Sequence, residues 1–137
     1  MRGDYRIITA MGRELVRFAV VGAIGFAVDA AVLHLLVAKA GWSPFAARAL
    51  SFPPAITSTF LLNRAWTFKS LRIPAAQAYG AYGAIQIAGA LVNLAVFSLC
   101  VLLVPVLYEW PLIALAIGAA AALLFNFAAS RRFVFAK

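Results

Sequence analysis

Four long apolar stretches, at about residues 18–38, 45–62, 79–104 and 112–129, leave this chain few ways to fold. Each comes close to, or exceeds, the ~20 residues with which an α-helix crosses the hydrocarbon core of a bilayer. Too little polar surface remains for a water-soluble globule, since 66% of the 137 residues are hydrophobic and 12% charged. The expected fold class is an all-α membrane protein, with four transmembrane helices forming two helical hairpins in one domain, residues 1–137. A net charge of +8 would suggest nucleic acid in a soluble chain. Here the bases gather at the ends of apolar runs. Membrane lipids with anionic headgroups are the expected partners, and nucleic acid is not.

The placement of the bases also sets an orientation. Arg2, Arg6, Arg13 and Arg17 precede the first run, Arg64, Lys69 and Arg72 lie in the central connection, and Arg131, Arg132 and Lys137 follow the last. Only Lys39 and Arg48 flank the opposite turns. By the positive-inside rule both termini and the central connection are expected to be cytoplasmic. The N-terminal segment reads equally as a short amphipathic surface helix, with Ile7, Ile8 and Met11 dipping inward, or as an unordered basic tail. Together with the first run and Ala38-Lys39-Ala40 it resembles a signal peptide. Asp29 in mid-run, and a counterpart of the run later in the chain, argue against cleavage.

Gly41-Trp42-Ser43-Pro44 is expected as a tight turn, Ser70 to Pro74 as a polar connection, and Pro105, Glu109 and Pro111 as the second turn. Pro53-Pro54 should kink or break the second helix, with the hydroxyls of Thr57, Ser58 and Thr59 meeting the freed carbonyls. The alanine-rich fourth helix should pack closely against its neighbours.

One short stretch occurs almost twice. Asn63-Arg64-Ala65-Trp66-Thr67-Phe68 returns as Ser130-Arg131-Arg132-Phe133-Val134-Phe135, each copy ending an apolar run. Aligning the halves also pairs Phe18 with Tyr82, Gly25 with Gly89 and Asp29 with Asn93. Two hairpins of like orientation would be related by a pseudo-twofold axis along the membrane normal, a parallel repeat. Arginine followed by rings suits a helix leaving hydrocarbon. Trp66, Phe68, Phe133 and Phe135 are expected as interface aromatics, with the guanidinium reaching headgroup phosphate.

Arg17-Phe18 with Gly22, Gly25 and Asp29, followed by Asn63-Arg64-Ala65-Trp66-Thr67-Phe68, resembles the GtrA-like family of small bacterial membrane proteins. The resemblance extends from Arg17 to the second aromatic cluster. It implies a multi-pass protein of the bacterial cytoplasmic membrane that serves cell-surface polysaccharide synthesis. Members are associated with moving polyprenyl-phosphate-linked sugars across that membrane, or with assisting the glycosyltransferases that use them. Ser130, where the first cluster has an asparagine, departs from the motif.

Asp29 carries the sharpest chemical signal, because a carboxylate near mid-bilayer faces a bundle interior or a water-filled path. It stands roughly 18 Å from the level of Arg17, and Arg48 roughly 22 Å from the same face on the next helix, at 1.5 Å per residue. The two could form an ion pair that locks the hairpin, or Arg48 could hold a phosphate and Asp29 a sugar hydroxyl or a proton. Gln86 and Asn93 share a helix face, and Asn126 lies on the fourth helix. With Asp29, Thr57 and Thr59 they either glue helices together or line a polar groove for sugar hydroxyls. Gly22, Gly25 and Gly89 suit close helix contact. His34 reads as an interfacial or packing residue and Cys100 as a small packing residue. Arg64 and Arg131, with Asn63 and Arg17, either anchor the topology or bind a lipid phosphate.

No metal-ligand spacing and no nucleophile–base arrangement is visible, so neither an enzyme nor a cofactor is expected. The expected function is translocation of a polyprenyl-phosphate-linked sugar, with the lipid or its glycosylated form as partner. A non-transporting adaptor that positions a glycosyltransferase is the alternative. A small multidrug-type transporter also has four helices and one membrane carboxylate, but the strong charge bias argues against its dual-orientation form. Four helices make a thin wall, which suits a homodimer.

Overall fold

The first helix begins well before the apolar run. In a computed structural model of the chain, α1 spans Arg2–His34, so the basic segment is neither a separate surface helix nor an unordered tail. Arginine, glutamate, leucine and methionine are good helix formers, and Gly12 interrupts them at a cost of only about 1 kcal/mol. The structure describes residues 2–109 and 111–136, and of residues 2–8, 44, 45, 48, 108, 109, 111 and 112 the backbone alone. The expectations for the side chains of Arg2, Arg6, Ile7, Ile8, Arg48 and Glu109, and for Lys137, therefore lie outside the described residues.

A π-helical turn, Leu35–Lys39, ends α1. Gly41 follows with φ +70°, a conformation that glycine adopts without strain. The expected turn is completed by Ser43, which caps α2 (Pro44–Leu62). Its hydroxyl oxygen accepts from the Ala46 amide at 3.3 Å, and Pro44 occupies the first helical position, where no amide is needed.

Helix α2 continues through Pro53 and Pro54 without a break. The hydroxyls of Thr57 and Ser58 each donate to the carbonyls of Pro53 and Pro54 respectively, at 2.8 Å, and Thr59 donates to Ala55 and Ile56. The carbonyls that lose an amide to the prolines are those of Ala49 and Leu50, four residues earlier. The hydroxyls do not fill that gap as expected. They bond one turn back on their own helix.

The chain gathers into two compact units, residues 1–71 with 136–137, and residues 72–135. In the first, α1 packs on α2. In the second, α3 (Ala75–Leu103) packs on α5 (Pro111–Ala129), and the short α4 (Pro105–Glu109) lies between them in the chain. Each unit buries a ladder of small residues, one per helical turn: Ala47, Ser51, Ala55 and Thr59 in α2, and Ala114, Gly118 and Ala122 in α5. In lipid, where apolar burial does not drive helices together, such a ladder lets backbones approach closely enough to gain dispersion contact. A Cβ on Gly25 would run into Thr59 Cγ2, and one on Gly89 into the Asn126 amide. Gly22, expected beside them, is exposed and has no neighbour where a Cβ would sit. It falls off the buried line of Phe18, Val21, Gly25 and Asp29.

Both units close in the same way. Asn63–Thr67 and Ser130–Val134 are π-helical turns, sealed when the amides of Phe68 and Phe135 donate five residues back to the carbonyls of Asn63 and Ser130. Phe68 then meets Phe18 edge-on at 6.1 Å between ring centroids, and Phe135 meets Tyr82 at 5.9 Å. The residue pairs aligned in the sequence thus occupy like places within each hairpin. The four expected interface aromatics divide, however. Trp66 and Phe133 are 42% and 60% exposed, whereas Phe68 and Phe135 are 8% and 0% exposed. In the first cluster, residues two apart on a helix point to nearly opposite sides, so Trp66 turns out and Phe68 becomes core. In the second the chain becomes extended at Phe135, which turns that ring inward. Phe135→Ala is accordingly expected to cost about 3–5 kcal/mol. Phe133→Ala should stay within about 0.5 kcal/mol of the parent. Reversible unfolding in detergent–SDS mixtures measures both, and equal losses would contradict the division.

Lys69 takes φ 67° and leads into a two-residue strand, β1 (Ser70–Leu71), where a polar connection was expected. A second, β2, is Phe135–Ala136. Ser70 Oγ donates to the Ala136 carbonyl at 2.8 Å within the first unit. Within the second, the Arg72 amide donates to Val134 O at 2.9 Å and its Nε to Phe135 O at 2.7 Å.

Among the described residues three segments are long and apolar enough to cross a membrane: Thr9–Lys39, Ala75–Leu103 and Ile113–Val134. Phe26, Leu102 and Leu103 are 74%, 78% and 72% exposed, a surface that suits hydrocarbon rather than water. The chain is an all-α, multi-pass membrane protein. The expected fourth crossing, α2, is a helix of 19 residues that is not among those three segments.

Candidate functional site

At the end of the first hairpin one arginine is stacked on an indole, with two further arginines exposed nearby in the chain. Arg17 comes from α1 and Trp66 from the π-helical turn, and packing of Phe18 against Phe68 holds these elements together. The Arg17 guanidinium lies 5.6 Å from the centroid of the Trp66 ring, and its Nη1 donates to the Trp66 carbonyl at 3.2 Å. Cation–π contact and hydrogen bond together fix both side chains. Arg64, two residues before Trp66, is exposed. Arg13, exposed one turn before Arg17, joins Thr9, Gly12, Val16 and Arg17 around an open depression of about 570 Å³.

Asn63 does not share that surface. It is 1% exposed, and its Oδ1 accepts from Thr67 Oγ1 at 2.8 Å. The asparagine therefore helps to hold the turn that presents Arg64, a role that accounts for its place before the arginine better than direct ligation does.

The second hairpin's end is different. Arg131 is half-buried and Ser130 fully buried, while the exposed Arg132 lies 5.9 Å from the centroid of the neighbouring Phe133 ring. An exposed arginine stands at the second position of the first motif and at the third position of the second.

The expected groove residues divide between the units. In the first, Asp29 is buried and accepts a hydrogen bond from Ser51 Oγ at 2.6 Å. Ser51, not singled out in the sequence, reaches the carboxylate across the close contact of α1 and α2. Its place in a four-residue ladder of small residues was the available signal. In the second unit Gln86 Nε2 donates to the Tyr82 hydroxyl at 3.0 Å, the Asn126 amide fills the space beside Gly89, and Asn93 lies against Gly118. Asn93 also borders a crevice of about 190 Å³ with Ala90, Leu94, Phe97 and Leu115. Thr57 and Thr59 spend their hydroxyls on their own helix. His34 is exposed and Cys100 half-buried. Among the described residues no group of three histidine, cysteine or acidic side chains could hold a metal.

Such an arrangement can attract an anion. Guanidinium groups give paired donors to phosphate oxygens, and the indole stacks with the cation that would share the load. A family model described as GtrA/DPMS, transmembrane domain, matches residues 17–135, a span that begins at the indole-stacked arginine and ends at the ring on Tyr82. No curated protein matches the chain.

Proposed function

The chain belongs to the GtrA/DPMS transmembrane-domain family, and from that membership we propose that it translocates a polyprenyl-phosphate-linked sugar across the bacterial cytoplasmic membrane. Membership itself places the protein in glycan-related processes that use lipid-linked sugars. The flipping step, and its service to surface polysaccharide synthesis, are our reading. The observation that carries it is the exposure of Arg64 on the same π-helical turn whose Trp66 ring is stacked by Arg17.

In this reading α2 is the fourth crossing, and both termini and the central connection face the cytoplasm, where the bases concentrate. Arg64 and Arg17 engage the lipid phosphate from that side, and Arg131 or Arg132 does so at the other hairpin end. The isoprenoid tail remains in lipid, so the protein need only shield a polar head during its passage. Chemistry on the substrate is left to other proteins, consistent with an activity that is not enzymatic and needs no cofactor. One observation favours a second reading, a membrane adaptor that holds the lipid for a glycosyltransferase without carrying it. The carboxylate of Asp29 is turned into its own hairpin by Ser51 and so does not offer itself to a passing sugar.

The two readings part in a reconstitution. Protein in liposomes containing a labelled polyprenyl-phosphate glucose should expose the inner-leaflet pool to a membrane-impermeant reagent much faster than empty liposomes do. Rates equal to those of empty liposomes, with the lipid still bound, would transfer the assignment to the adaptor.

A further inference from the structure

The second hairpin buries three polar oxygens near its closed end. Gln86 Oε1, Asn126 Oδ1 and Ser130 Oγ are each buried and make no hydrogen bond among the described residues. Ser130 is wholly buried as a residue. Asn126 and Ser130 are four apart, hence on one face of the helix and the turn that continues it.

The contacts of α3 with α5 and with β2 beyond it fix the register. Gly118 lies against Asn93, Gly89 against Asn126, and Tyr82 against Phe135. As one number falls the other rises, so the helices are antiparallel, and Gln86 falls across from Ser130. All three oxygens thus belong to one stretch of a single helix interface, one turn inward from the Tyr82–Phe135 contact.

The duplication supplies an internal control. At the places of Gln86, Asn126 and Ser130 the first hairpin has Gly22, Thr59 and Asn63. Gly22 has no polar group to satisfy. Thr59 donates to Ala55 O, and Asn63 Oδ1 accepts from Thr67 Oγ1. Where Thr67 stands, the second hairpin has Val134, which can donate nothing. At these three places the first copy is therefore closed, and its sister carries oxygens that make no hydrogen bond among the described residues. Buried polar groups in native proteins are almost always paired, and a cluster of three orphans calls for a partner from outside the fold.

We infer that Gln86, Asn126 and Ser130 form a hydroxyl-binding site in the second hairpin. Two amide oxygens accept from a hydroxyl-bearing molecule, and Ser130 Oγ can donate to it or accept from it. Two sources share that chemistry, a sugar hydroxyl and a resident water. We assign the site to the hydroxyls of the lipid-linked sugar, an assignment that rests on the function proposed above.

The test uses the full chain in nanodiscs, with polyprenyl phosphate and its glucose, galactose and mannose forms as probes. The parent should bind at least one hexose form about tenfold more tightly than the bare phosphate, the worth of one or two net hydrogen bonds. Asn126→Thr, which installs the first hairpin's own residue, and Ser130→Ala should erase that preference and leave the affinity for bare lipid unchanged. Should either variant fail to fold, Gln86→Met takes its place. No preference in the parent, or a preference that survives in the folded variants, would overturn the assignment. Variants that lose thermal stability yet keep the preference would give the site to water, with the same consequence. If the parent binds neither bare nor glycosylated lipid, the proposed function falls together with this inference. Bare-lipid binding without preference removes the inference alone.

Discussion

Replacing Gly118 by alanine should destabilise the second hairpin by about 3 kcal/mol, the upper end of ordinary overpacking, and by valine more. A Cβ at that position would stand 2.7 Å from Asn93 Oδ1 and 2.8 Å from the Asn93 backbone carbonyl. A side-chain end can swing aside, but a carbonyl inside α3 can yield only by parting the helices. Once they part, the contacts along the alanine ladder and the fit of Asn126 beside Gly89 weaken with them, since packing attraction falls steeply over fractions of an ångström. Gly83 provides the comparison in the same unit, because nothing lies within 4 Å of where its Cβ would be. Gly83→Ala should be neutral or slightly stabilising, as alanine is the better helix former by about 1 kcal/mol. Unfolding in SDS mixtures, followed by circular dichroism, measures both. Equal stability of the two variants would contradict the close α3–α5 contact.

That contact also shows where the sequence is legible and where it is not. Apolar run lengths located the bodies of α2, α3 and α5 but not the start of α1, whose first turns are basic and polar and so carry no apolar run. The recurrence of the arginine–aromatic motif was visible, and so was the pairing of Phe18 with Tyr82 and of Gly25 with Gly89, which the two hairpins realise alike. The π-helical turns were not visible, for they are single-turn adjustments in which Asn63 and Phe68 meet five residues apart rather than four. Without the turn's phase, Trp66 and Phe68 read as one belt, although one faces out and the other is core. Asp29 is buried. Ser51, which donates to it, carries no charge, so reading along the chain for an opposite charge could not find it. The small-residue ladder in α2 and α5 was legible at four-residue spacing, and alanine content alone drew attention to only one of the two helices. The polar cluster of Gln86, Asn126 and Ser130 needed the antiparallel register, which no single helix displays.

Arg64→Ala is expected to have the largest functional effect. An arginine that offers two donors to a phosphate contributes about 1.5–3 kcal/mol, equivalent to roughly ten- to a hundredfold in binding or rate. Arg64→Lys keeps the charge and loses the fork, so it should fall between parent and alanine. Because Arg64 is exposed, neither change should disturb folding, as surface substitutions are usually within about 0.5 kcal/mol. Raising the ionic strength should weaken the parent's lipid binding and narrow its lead over Arg64→Ala, since the contact is partly screened.

The decisive measurement follows the glycosylated lipid across liposome membranes for the parent, Arg64→Ala and protein-free vesicles in parallel. Protection should be lost rapidly with the parent, at least tenfold more slowly with folded Arg64→Ala, and most slowly in the empty vesicles. If the folded Arg64→Ala protein moved the lipid as fast as the parent, the phosphate would not be held at the exposed arginine of the first hairpin, and the central claim would be wrong.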